Sequence, residues 1–220
     1  MNLDKFEWIF FDIGGVLFDD SITENLRRKT DLLVLKEFIP KISEEEVNNN
    51  WKIASGINGN IDENLMRIFL KDDSACQNAI LKLQERKKTW PFYEERSIFR
   101  PESVDILKKL SKKHKLGVIA NQPGQVKEIL SKNGISEYFN FLGISDEYNL
   151  HKPDLLFFEK VLKDSGADPL KSVMIDDNIE RGLLPAKKLG FTTIWFDNNI
   201  PNNSDDKIID YKINLLKELI

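Results

Sequence analysis

From residue 102 to residue 196 the chain alternates short apolar runs with stretches of helical character, and this restricts its folding more than any other feature. "KLGVIA" (115–120), "FNFLGIS" (139–145), "SVMI" (172–175) and "TTIWF" (192–196) are rich in β-branched or aromatic residues and read as strands. Between and before them, apolar residues recur at helical spacing over Glu102–Lys113, Gln125–Lys132, Leu155–Lys163 and roughly Leu183–Leu189. Pro101 and Pro153 stand where helices begin, and Gly134 follows the second helix where a left-handed cap is wanted. Strands alternating with helices predict an α/β fold with a doubly wound parallel sheet covered on both faces. "WIFF" (8–11) supplies its first strand.

Residues 20 to 95 break the alternation. "TENLRRKTDLLVLKEFI", "SEEEVNNNWKIA", "IDENLMRIFLK" and "ACQNAILKLQERKKTW" all carry helical periodicity, with no strand between them. They predict a helical subdomain, residues 19–95, inserted into a core made of 1–18 and 96–220. The boundaries fall near Phe18–Ser21 and Pro91–Pro101, where prolines and charges cluster. Within the insert, "SGINGN" (55–60) reads as a loop joining two helices, and Trp51, Trp90, Phe69 and Phe92 read as packing residues.

Bulk charge narrows the function classes. With 32 basic and 36 acidic residues the net charge is -4, which provides no footprint for nucleic acid or an anionic membrane. "ERKK" (85–88) and "KKLSKKHK" (108–115) read as solvated helix faces, and His114 as a surface residue. The single cysteine, Cys76, cannot form an internal disulfide, and no stretch is long and apolar enough to span a bilayer. "MNLDKFEWIF" lacks a basic leader. A soluble, cytoplasmic protein is expected.

Ligands of open parallel sheets bind beyond the carboxyl ends of the strands. There this chain places Asp12 after the first strand, Asn121 after "GVIA", Lys152 in "HKPD", and Asp176 with Asp177 after "VMI". Singly each has a structural explanation as a turn or cap residue; together they bring three carboxylates, an amide and a lysine to one sheet edge. Like charges at such range push a carboxyl pKa upward unless positive charge intervenes. Lys152 supplies one such charge, and a hard divalent cation with oxygen ligands, Mg2+ above all, supplies the rest.

In this order and spacing, "FFDIGGVLFD", "VIANQPG", "HKPDLLFF" and "VMIDDNIERGLLPAKKLGF" resemble the four motifs of the haloacid dehalogenase-like hydrolase superfamily, over essentially the whole chain. The resemblance implies a Rossmann-like core with a helical cap after the first strand. It implies Asp12 as a nucleophile that forms an aspartyl-phosphate, and a small phosphorylated molecule as substrate. It further implies Mg2+ held by Asp12, the Gly14 carbonyl, Asp177 and, directly or through water, Asp176. Lys152 would steady the charge of nucleophile and phosphoryl group, and Asn121, with neighbouring backbone amides, would cradle the phosphoryl oxygens. Three positions depart from the family pattern. Gly14 replaces a general acid, Ala120 replaces a Ser or Thr, and Gly182 replaces a further acid. Without the acid, the leaving group's proton comes from water, a cap residue or His151, and substrates with acidic leaving groups lose least. Two other readings stay open: a 2-haloacid dehalogenase-type hydrolase, since halide needs no proton, and a binding or regulatory protein without turnover. Nothing in the sequence sets the oligomeric state.

Overall fold

A computed structural model describes residues 1–92, 95, 97–197 and 206–220. Part of the expected second boundary (Tyr93, Glu94 and Arg96) lies outside the described residues. The chain divides into two compact units, Met1–Asp19 with Phe99–Ile220, and Asp20–Ile98.

The first unit is built on six parallel strands. They are β1 (Trp8–Phe11), β4 (Lys115–Ala120), β5 (Phe141–Ile144), β6 (Ser172–Asp176), β7 (Thr192–Phe196) and β8 (Tyr211–Ile213). Their order in the sheet is β5-β4-β1-β6-β7-β8. A separate two-stranded sheet pairs β2 (Phe18–Asp19) with β3 (Ile98–Phe99). β1 is central because both its faces are apolar. Ile9 and Phe11 join one buried cluster with Val173 and Ile175, while Trp8 and Phe10 join the other with Met174. Alternate side chains thus feed two cores, as the two-residue period of a strand requires. Gly117 makes this possible next door, since a Cβ there would lie 2.4 Å from the Phe10 ring.

The helices of this unit are α5 (Glu102–Leu110), α6 (Val126–Lys132), α7 (Ser145–Tyr148), α8 (Leu155–Ser165) and α9 (Leu184–Leu189). Asp154 caps α8 by accepting from the Leu156 N–H at 2.9 Å, so Pro153 precedes the cap and does not open the helix itself. Gly134 takes φ +67° beyond α6. His114 is buried, its Nδ1 2.8 Å from the Phe6 carbonyl oxygen, and this corrects the surface position expected of it.

The second unit contains α1 (Ser21–Phe38), α2 (Glu44–Ser55), α3 (Ile61–Phe69) and α4 (Asp73–Lys87). Ser43, Asn60 and Asp72 cap α2, α3 and α4, and Ser43 with Glu46 forms a reciprocal capping box. The apolar faces meet in a separate core around Leu35, Val47, Leu65, Met66 and Leu83. "SGINGN" is the connector between α2 and α3, held by Asn64, whose Nδ2 donates to the carbonyls of Ala54, Ile57 and Asn58. "ERKK" is not wholly solvated, because Lys87 pairs with the buried carboxylate of Asp62. Among the described residues, no helix is long and apolar enough to cross a membrane.

Candidate active site

Strand register sets two carboxylates side by side. β1 lies against β6 with Phe11 opposite Ile175. The Asp12 N–H donates to the Ile175 carbonyl at 2.9 Å, extending the pairing by one residue and bringing Asp12 alongside Asp176, the last residue of β6. β4 and β5 continue on one side of β1, whereas the chain crosses to its other side for β6. The site is therefore at the point where the winding reverses, and there the loops after adjacent strands part to leave a crevice. One ligating oxygen each of Asp12, Asp176 and Asp177 lie within 4.8 Å of one another. Lys152 Nζ stands 3.1 Å from Asp12 Oδ1 and 2.7 Å from Asp176 Oδ2.

Two glycines let the acids approach. Gly15 has φ +73°, and a Cβ there would fall 2.1 Å from Asp177 Oδ2. A Cβ on Gly182 would fall 2.0 Å from Asp176 Oδ2. Both carboxylates thus rest on bare backbone. Gly182 lies in a short π-helical segment, Ile179–Leu183, that leads into α9. Asp176 is fixed further by the Asn178 N–H at 2.8 Å on Oδ1. The Trp195 indole N–H donates to the Asp177 carbonyl at 3.2 Å, a support the sequence did not single out.

Burial and neighbouring charges act against each other in this cluster. Burial works against the Lys152 ammonium, but the charges of Asp12 and Asp176 outweigh it and raise its pKa above the usual lysine value. Burial pushes the Asp176 carboxyl well above its usual range, and the neighbouring Asp12 adds to the rise while Lys152 opposes it. The Lys152 ammonium pairs with two of the carboxylates, Asp12 and Asp176. Further positive charge would relieve the cost of burying Asp176 as an anion. An all-oxygen donor set on glycine-lined backbone fits a hard divalent cation.

Asn121 and its loop are hydrogen-bonded to the segments that follow β5. Asn121 Nδ2 donates to the Lys152 carbonyl at 3.0 Å, and its Oδ1 accepts from the Lys152 N–H at 2.7 Å. The following amides are committed as well. Gln122 N–H donates to Ser145 Oγ at 3.1 Å and Gly124 N–H to Asp146 Oδ2 at 3.1 Å, while Pro123 has no N–H. The loop after β4 is stitched to the segment after β5 through these bonds.

A model of the family described as haloacid dehalogenase-like hydrolase matches residues 9–196. The chain belongs to that family. A glyceraldehyde 3-phosphate phosphatase of Methanothermobacter thermautotrophicus is 26% identical over 226 residues, covering 96% of this chain and 98% of that one. The same activity is named for a Methanocaldococcus jannaschii protein, 35% identical over 94 residues, 42% of this chain and 41% of the other. A pyrimidine 5′-nucleotidase of Escherichia coli is 28% identical over 99 residues, 44% of each chain. The second and third matches are partial, and in them the chain spans less than half of the relatives' length. Among solved structures, a haloacid dehalogenase-like hydrolase from Bacteroides fragilis superposes with a TM-score of 0.71 at 16% identity, covering 98% of this chain and 100% of that one. A HAD phosphatase from Thermococcus onnurineus gives 0.61 at 21% identity, covering 97% and 95%.

In this haloacid dehalogenase-like hydrolase, the residues at the three positions that depart from the family pattern have structural tasks. Ala120 is fully buried in β4, and Gly182 is the platform under Asp176. Gly14 forms an isolated bridge with Phe18 that closes the turn after Asp12, and Arg100 Nη2 reaches the Gly15 carbonyl of the same turn at 3.5 Å. His151 is exposed.

Proposed function

We propose that this protein hydrolyses small phosphomonoesters in a Mg2+-dependent reaction through an aspartyl-phosphate on Asp12. The convergence of Asp12, Asp176 and Asp177 within 4.8 Å around Lys152 carries the reading. The phosphatase names of its relatives support it. Asp12, Asp176, Asp177 and the Gly14 carbonyl would hold the ion, whose charge would offset that of the phosphoryl oxygens when it is bound.

The chain's own residues account for the remaining chemistry. Lys152 Nζ and the Ile13 N–H, 2.8 Å away, both bind Asp12 Oδ1, so Oδ2 is the oxygen turned to attack. Attack forms an O–P bond as the ester oxygen leaves with the bonding pair. Water then attacks the same phosphorus, releasing phosphate and restoring the Asp12 carboxylate. Lys152 keeps its proton and balances charge throughout. With no side chain at Gly14, the leaving oxygen takes its proton from water, which favours substrates whose leaving groups are weak bases. A halide-releasing reaction would leave Asp176 and Asp177 without a task.

A panel of phosphorylated metabolites and p-nitrophenyl phosphate, assayed for phosphate release with Mg2+ and with chelator, tests the proposal. Release is expected only with the metal and is expected to return when Mg2+ is restored. Full activity in chelator would overturn the metal assignment, and inactivity across the panel the phosphatase reading.

A further inference from the structure

We infer that Asn121 is a positioning residue that acts through Lys152 and makes no contact with the phosphoryl group. The inference rests on the phosphatase reading above, and a pair of reciprocal bonds carries it. A side-chain amide has an acceptor oxygen and a nitrogen with two N–H donors, and Asn121 directs the oxygen and one N–H at the main chain of a single residue 31 positions away. The N–H and C=O of Lys152 are thereby fixed together, as a neighbouring strand would fix them. Lys152 lies outside any strand or helix, in the segment between α7 and α8, so its backbone lacks the ladder that holds Asp12 and Asp176. Its ammonium nonetheless has to stay within 3.1 Å of Asp12 and 2.7 Å of Asp176 while 3% exposed. The Ser145–Gln122 and Asp146–Gly124 bonds tie the same two segments further back, which leaves Asn121 as the bond pair nearest the lysine itself.

Three measurements on the full chain separate positioning from direct phosphate binding. In Asn121→Ala, hydrogen exchange at the Lys152 amide should accelerate at least about tenfold, while the amides of β1 and β6 keep their protection. With p-nitrophenyl phosphate and Mg2+, kcat should fall by about tenfold or more with KM changed less than about threefold. Affinity for inorganic phosphate, measured by calorimetry, completes a double-mutant cycle with Lys152→Ala. Asn121→Ala should add less than a twofold loss once Lys152 is gone, because its effect passes through that residue. Unaltered exchange at Lys152, or an undiminished loss of phosphate affinity in the Lys152→Ala background, overturns the inference. Wild-type protein that neither binds phosphate nor turns over any phosphoester overturns the functional reading instead, and exchange at Lys152 then decides the clamp alone.

Discussion

At the scale of single residues, the proposed reaction depends on the Asp12 carboxylate and on glycines that have no side chain. Asp12→Asn keeps the size and most of the hydrogen bonding of the side chain but removes the nucleophilic charge. Phosphate release should fall by about a thousandfold or more with the far-ultraviolet dichroism unchanged. Gly182→Ala tests the other half. Its Cβ would need the space of Asp176 Oδ2, which Lys152 holds in place while the Asn178 N–H holds Oδ1 of the same carboxylate. Activity should drop at least about tenfold, with an overpacking cost of roughly 1–3 kcal/mol in urea unfolding. Gly134→Ala is the contrast. At φ +67° with nothing within 4 Å, the substitution should lose roughly 1 kcal/mol by backbone strain and leave turnover unchanged. Asp12, Lys152, Asp176 and Asp177 were legible because each follows an apolar run that reads as a strand or lies shortly beyond one. The work of Asn121 was not, since its partner is a main chain, which every residue possesses. Nor was that of Gly182, because the space above a glycine is defined only once the fold brings Asp176 there.

At the scale of elements, periodicity located what burial makes periodic and missed what pairing alone creates. β1, β4, β6 and β7 are buried along nearly their whole length, so their composition announces them. β8 spans three residues of which only Ile213 is buried, and it is a strand because β7 offers an edge. The π-helical segment before α9 was likewise invisible, for its extra residue leaves the apolar spacing of "LLPAKKLG" intact. In the helical unit, periodicity concealed a charge. Asp31 of α1 is fully buried, and among the described residues neither of its carboxyl oxygens has a hydrogen-bond partner. Burial pushes it up to about 8, with Asp62 and Glu24 adding to the rise and Lys87 and Arg27 opposing it. The folded unit therefore keeps a proton that the unfolded chain releases near pH 4. Its contribution to stability is complete below that pH and is lost as pH rises through about 8. Urea unfolding followed by helical dichroism should show the unit weakening from pH 5 to pH 9, and Asp31→Asn should flatten that slope. An equal slope in the variant would place the titrating group elsewhere.

At the scale of the whole molecule, the chain carries separate apolar cores for its two units. The cluster around Leu35, Trp51 and Leu83 draws only on the helical unit, whereas the two clusters flanking the sheet draw only on the other. A helical run inserted between neighbouring strands has to bury its own faces, and the helical unit does so in its own cluster. Units with independent cores unfold as separate cooperative blocks, so calorimetry should resolve two transitions. The metal should act on one of them. Asp12, Asp176 and Asp177 all belong to the unit containing the sheet. At about one hundred times its dissociation constant, Mg2+ should add about 2.7 kcal/mol to that unit alone. For a unit of this size the gain is a rise of roughly 5–10 °C in one transition, with the other unmoved. Asp177→Asn should shrink the rise by removing a ligand charge while preserving both transitions in the absence of Mg2+. A shift of both transitions together would mean that the units unfold as one block. A shift of neither would mean that the three carboxylates hold no ion, and the functional proposal would lose its electrostatic basis.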